Sequence, residues 1–234
     1  MLDEFSSENP GDYIAGFPAH PHRGFETVTY LMSGAMVHED SIGTRAVIKP
    51  GGVQWMTAGS GVIHSELPTQ DMLALGGRMH GFQLWVNLSA DRKMIPPRYQ
   101  GYDADELAQI KLANGGLVKV VAGKVLGAVG PVETTSPMTY AHAAMQENES
   151  IDWTPEATHT ALVHVFEGQV EVNGQRAVAG QMVVFERSAG SVQISTHTSK
   201  AQLLILGGEP LNEPVVRYGP FVMNTRQQIV DAVN

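Results

Sequence analysis

The chain contains no cysteine. That absence excludes disulfides, thiolate metal sites, cysteine-ligated iron–sulfur clusters and cysteine nucleophiles together, so any metal must be held by nitrogen and oxygen. Basic residues are scarce too: 15 Lys and Arg stand against 24 Asp and Glu, for a net charge of −9, and no long basic run occurs. Affinity for phosphate backbones rests largely on cationic neutralisation, so direct nucleic-acid binding is not expected. No apolar stretch reaches the ~20 residues that span a bilayer, and no membrane partner is expected. Where a secretory leader would place positive charge before an apolar run, Asp3, Glu4, Glu8 and Asp12 stand instead, which makes a cytoplasmic location the expectation.

What the 234 residues do have is 43% hydrophobic side chains, enough for a sizeable core, with 25 glycines and 13 prolines spread along the chain. That spread points to many tight turns between short strands, hence an all-β protein. Strands are expected at Phe25 to Leu31, Ala46 to Lys49, Val53 to Met56, Val62 to Glu66 and Phe82 to Leu88, each closed by turn residues such as Ser33-Gly34 or Pro50-Gly51-Gly52. The apolar pattern lapses between Asp91 and Pro97, and Tyr102 to Leu112 is charged and weakly periodic, which places a domain boundary near residue 98. A second series follows: Leu117 to Ala122, Met138 to Ala143, Thr160 to Phe166, Gln169 to Val172, Gln181 to Phe185, Val192 to Ser195 and Gln202 to Leu206. This half reads as a looser copy of the first, as the runs YLMSGAMVHED and HVFEGQVEVNG illustrate. Thr225 to Val233 is expected to be a short helix.

The residues that carry chemistry come in two pairs. His20 and His22 are two apart in FPAHPHRGFE, where Pro18 and Pro21 preclude a helix. In an extended chain, residues two apart point to one face, so both imidazoles can reach one point. His64 and Glu66 in VIHSE are spaced the same way on an expected strand. If the two strands face each other across a barrel interior, the pairs supply three imidazole nitrogens and a carboxylate oxygen, a set suited to a first-row divalent ion. A lone HxH pattern is common. Here it is followed by Glu26, Gly34, the turn at Pro50-Gly51 and then His64, the two-part signature of cupin barrels.

The segments FPAHPHRGFETVTYL, MVHED, GGVQWMTAGSGVIHSE, GFQLWVNL, GGEPLNEPVV and GPFVMNT resemble the pirin family over most of the chain. The resemblance implies a bicupin: two jelly-roll-type β-barrels packed together, with a short C-terminal helix. Its N-terminal metal-binding barrel is expected over residues 1–98. The C-terminal barrel, without a metal set, is expected over 99–208, with 209–234 returning to the first. The resemblance also implies that His20, His22, His64 and Glu66 hold one divalent metal, Fe(II) foremost, with Mn, Ni, Co, Cu or Zn as substitutes. Many other cupins use the carboxylate at the place of Glu26 as a ligand. The pirin pattern uses the one matching Glu66 and leaves Glu26 as a supporting acceptor or structural ion pair. His38 and His80 are expected in turns or core; His142, His159, His164 and His197 repeat neither paired motif. Trp55 and Trp85 are expected in packing. Relatives carry several dozen residues before the segment matching Leu2, so exposed strand edges, and with them an oligomer, are expected here.

Two functions follow from the resemblance. One is a quercetin 2,3-dioxygenase-type oxygenase that cleaves a flavonol-like small aromatic substrate with O2, Glu66 taking up the substrate's hydroxyl proton. The other is a non-enzymatic, iron-dependent redox-sensing regulator that acts through a protein partner, as a transcriptional co-regulator or a modulator of a metabolic enzyme.

Overall fold

The computed structural model describes Met1–Asn234. It has the expected all-β architecture of cupin-like barrels, with three short helices, the last being Arg226–Val233. The chain divides into two compact units, Met1–Glu106 with Leu211–Asn234, and Leu107–Pro210. The strand Arg98–Tyr102, which lies past the boundary expected at residue 98, pairs with Val53–Thr57 in the first unit.

The first unit is built from two antiparallel sheets. One runs Leu2–Ser7, Met79–Asn87, Phe25–Ser33, Val53–Thr57, Arg98–Tyr102. The other runs Phe17–His22, Val62–Pro68, Met36–Asp40, Arg45–Ile48. In Val62–Pro68 the alternation is plain: Val62, His64, Glu66 and Pro68 are inward, while Ile63 and Leu67 are exposed. Phe25–Ser33 is buried on both faces over most of its length, so sequence alternation alone could not assign its inner side.

The C-terminal return of the first unit is a ribbon, Val216–Tyr218 paired with Phe221–Met223, followed by the helix. It approaches Gly24 so closely that a Cβ there would run into the Val222 carbonyl; Gly24 also sits at φ +88, which favours glycine. The Lys93 ammonium, itself buried, donates to Gly24 O (2.8 Å), Asn87 Oδ1 (2.7 Å) and Val222 O (2.9 Å). Burial pulls its pKa down to about 8, against the pull of Glu213. Thr225 caps the final helix in a reciprocal capping box with Gln228.

In the second unit the strand order is Ala108–Lys111, Leu117–Ala122, Met138–Met145, Ala201–Gly208, Thr160–Val172, Val192–Ser195, Ser150–Trp153. The two runs expected at Thr160 to Phe166 and Gln169 to Val172 are one strand with a bulge between Val165 and Glu167. Asn173 (φ +47) and Gly174 (φ +79) close its hairpin with Gln175–Val178, the positive φ pair that a two-residue turn demands. A continuous apolar cluster fills this unit, from Val118, Val120, Ala141 and Ala143 to Val163, Leu203 and Ile205. No helix is long and apolar enough to cross a membrane.

Candidate metal centre

Phe17–His22 tolerates Pro18 and Pro21 because it is the edge strand of its sheet, where missing amide donors face no neighbour. Its partner is Val62–Pro68, with His20 directly opposite His64 and His22 opposite Val62. The two pairs do not converge across a barrel interior. They are neighbours in one sheet, and direct cross-strand adjacency brings the rings together.

His20 Nε2 lies 3.0 Å from His22 Nε2 and 3.0 Å from His64 Nε2. The potential ligand atoms of these three residues all lie within 4.8 Å of one another. The opposite ring nitrogens decide what these can do. A carbonyl oxygen only accepts, so a ring nitrogen that bonds to one carries the proton. His20 Nδ1 donates to Pro18 O at 2.7 Å, and His22 Nδ1 donates to Pro220 O at 3.2 Å. In a neutral imidazole this leaves both Nε2 lone pairs free and pointed at a common centre. Burial drives the His22 pKa down to about 4, aided by the nearby His20. Burial, then the neighbouring His22, His20 and His38, drives His64 to about 2. At neutral pH His22 and His64 are thus unprotonated bases, which a cation can bind without first displacing a proton.

Glu66 is fully buried on the inward face of the same strand as His64, but it is not part of the three-residue group. Its Oε1 accepts from Thr29 Oγ1 (2.6 Å) and Gln54 Nε2 (2.6 Å), and its Oε2 from Gln83 Nε2 (3.1 Å). Burial raises its pKa to about 7, against the lowering effect of the Thr29 and Gln83 bonds. Glu26 lies three positions from Thr29 and so on the opposite face of that strand, where it accepts from Thr57 Oγ1 at 2.7 Å.

Several neighbours had no motif to announce them. Thr29, Gln54 and Gln83 are polar residues set in apolar strands, a signal that alternation offers only once the inner face is known. His38 is wholly buried, its Nδ1 3.5 Å from His64 Nδ1. Trp85 is half-buried, edge-on to His22 at 5.4 Å between centroids, and Phe25 is edge-on to the same ring at 5.0 Å. Both line a cavity of about 250 Å³ that also takes in Met1, Asn87 and Arg217 and that none of His20, His22, His64 and Glu66 lines; the Arg217 guanidinium carbon lies 5.1 Å from the Trp85 ring centroid. Elsewhere, His80 faces Glu4 (2.9 Å), His142 faces Gln202 (3.2 Å) and exposed His197 faces Glu171 (3.5 Å). His159 is buried, and His164 lies on Thr160–Val172.

The sequence profile described as Pirin matches residues 1–86, and that described as Pirin C-terminal cupin domain matches residues 140–234. A Pseudomonas aeruginosa protein that carries quercetin 2,3-dioxygenase in its name, under a provisional qualifier, is 43% identical over 240 residues, covering 100% of this chain and 82% of its own. A pirin-like protein of Caulobacter vibrioides is 42% identical over 235 residues, covering 99% and 83%. The crystal structure of a quercetin 2,3-dioxygenase from Acinetobacter baumannii superposes with a TM-score of 0.93 at 38% identity, covering 100% of this chain and 82% of that one.

Proposed function

Since this chain belongs to the pirin family of cupins, we propose that its first unit is the metal centre of an oxygenase of the quercetin 2,3-dioxygenase type, acting on a flavonol-like substrate with O2. The observation that carries this reading is the convergence of three Nε2 atoms, with His20 and His22 held in the metal-binding tautomer by the carbonyls of Pro18 and Pro220. The donor set, imidazole nitrogens with a carboxylate nearby and no thiolate, fits a first-row divalent ion, Fe(II) foremost. When bound, such an ion supplies Lewis acidity and open positions at which an ionised phenol and dioxygen can meet.

The chain's own residues supply the rest. His20, His22 and His64 hold the ion. Glu66 completes the set by exchanging one of its side-chain hydrogen bonds, and its Oε2, which has a single partner, takes the proton of the substrate hydroxyl. Phe25 and Trp85, packed against each other with centroids 4.4 Å apart, form an apolar side to the centre next to His22.

The test is reconstitution with Fe(II) under anaerobic conditions, then addition of quercetin and air-saturated buffer. Loss of the flavonol absorbance with release of carbon monoxide is the expected result. No turnover with any of Fe, Mn, Ni, Co, Cu or Zn sinks the reading.

A further inference from the structure

His20 and His22 owe their tautomers to carbonyl oxygens, whose role cannot change. His64 does not: its Nδ1 faces another imidazole nitrogen, Nδ1 of His38, which can donate or accept. Something else must choose. We infer that Asp40, acting through His38, sets the tautomer of His64 and thereby aims its Nε2 lone pair into the metal site.

The chain of bonds runs in one direction. Asp40 Oδ1 accepts from the backbone amides of Ile42 (3.1 Å) and Thr44 (2.9 Å), which anchor the carboxylate. Its Oδ2 lies 2.9 Å from His38 Nε2, with both side chains fully buried. A carboxylate accepts, so His38 Nε2 donates, and in the neutral ring His38 Nδ1 is left with the lone pair. His64 Nδ1 must then carry a proton to meet it, and the His64 lone pair falls on Nε2, 3.0 Å from His20 Nε2. Tyr99 packs against the His38 ring (centroids 4.7 Å apart, planes 32° apart) and limits its rotation. Asp40 and His38 are positioning residues: neither offers an atom to the three-residue group.

The proposal deepens the metal reading above and rests on it, so its test has a part that needs no metal. In Asp40→Asn the side-chain oxygen stays with the two amides, which can only donate, and the NH2 group turns to His38 Nε2. That nitrogen must now accept, His38 Nδ1 carries the proton, and His64 Nδ1 becomes the acceptor. The His64 proton moves to Nε2, inside the site. Long-range 1H–15N spectra of the metal-free protein report which ring nitrogen is protonated. They are expected to show His64 protonated at Nδ1 in the parent and at Nε2 in Asp40→Asn.

Zinc(II) affinity, measured by chelator competition, is expected to fall about 10- to 100-fold, the usual effect of losing an outer hydrogen-bond partner. His38→Leu, which removes the acceptor altogether, is expected to weaken zinc comparably. Glu39→Gln is the control: its side chain is exposed and paired with Arg45, and its affinity should match the parent. A His64 proton that stays on Nδ1 in Asp40→Asn, or zinc affinity equal to the control in both variants, overturns the relay. If the parent itself binds no zinc or iron, the metal reading fails, and the ring-nitrogen spectra still decide the relay.

Discussion

Glu66 of the first unit and Glu149 of the second are both buried, and they are held in opposite ways. In the second unit Glu149 is bound by backbone: Oε1 accepts from the amides of Asn114 (2.9 Å) and Gly116 (2.8 Å), and Oε2 from that of Gln146 (2.6 Å). In the first unit Glu66 is bound by the side chains of Thr29, Gln54 and Gln83. Backbone amides are fixed in place by the fold, whereas hydroxyl and amide side chains can rotate to other partners. The Glu149 arrangement is a loop anchor, and that of Glu66 is an exchangeable one. The surroundings differ likewise. The first unit buries Thr29, His38, Gln54 and His64 around its site; the second is built around a continuous apolar cluster and also buries His142, His159 and Thr196. Both units are built from antiparallel strands, and it is in the first that three imidazoles lie together with buried polar side chains around them.

The sharpest way to break this contrast is His64→Ala. Loss of one of three converging nitrogens is expected to abolish stoichiometric metal binding, read by elemental analysis of protein purified without added metal, while the second unit melts unchanged. Next comes Glu149→Gln. Replacing one acceptor oxygen by a donor leaves a buried backbone amide unsatisfied and is expected to cost about 3 kcal/mol in denaturant unfolding, with metal affinity untouched.

Glu66→Gln should act in the reverse sense. A carboxylate whose folded pKa is raised from 4.5 to about 7 opposes folding once the pH exceeds its unfolded value. The neutral amide is therefore expected to stabilise the metal-free protein above pH 7 by about 1–3 kcal/mol, and to remove turnover. A variant less stable than the parent at pH 8 contradicts this.

The same contrast has an acid limb. Folded His22 and His64 have pKa values of about 4 and about 2 against 6.5. As pH falls below 6.5 the unfolded chain takes up protons at these sites before the folded one does, and stability drops by up to about 1.4 kcal/mol per pH unit per histidine. Glu66 offsets one of the two between pH 7 and 4.5, so the steep part should lie below 4.5. Urea unfolding of the metal-free protein from pH 7 to 4 tests it, and His22→Asn with His64→Asn should flatten the curve.

Much of this contrast was legible in residue order. His20, His22 and His64 carry period-two spacing and proline-enforced extension, signals that survive without three-dimensional context, and strands such as Val53–Thr57 and Val192–Ser195 announce themselves by β-branched and apolar runs. The strands Leu2–Ser7 and Arg98–Tyr102 did not. They are polar, half-exposed edge strands, and tertiary pairing with Met79–Asn87 and Val53–Thr57 overrides their weak local preference. His38 carries no such signal, because its role depends on Asp40 two positions on and on a ring from another strand. The carbonyl of Pro220 carries no side-chain signal at all.

That last contact has a consequence for biosynthesis. The second unit, Leu107–Pro210, is inserted between the two stretches that make the first. The oxygen that orients His22 belongs to Pro220, on the far side of the insertion. At about 5–20 residues per second, the ribosome needs roughly 5 to 20 s to pass through the insert. During that interval His20 and His64 can already meet, but His22 is still free to choose its proton. The centre is completed only as the last stretch of chain emerges, so a nascent or prematurely terminated polypeptide would present a metal-hungry but unfinished pocket.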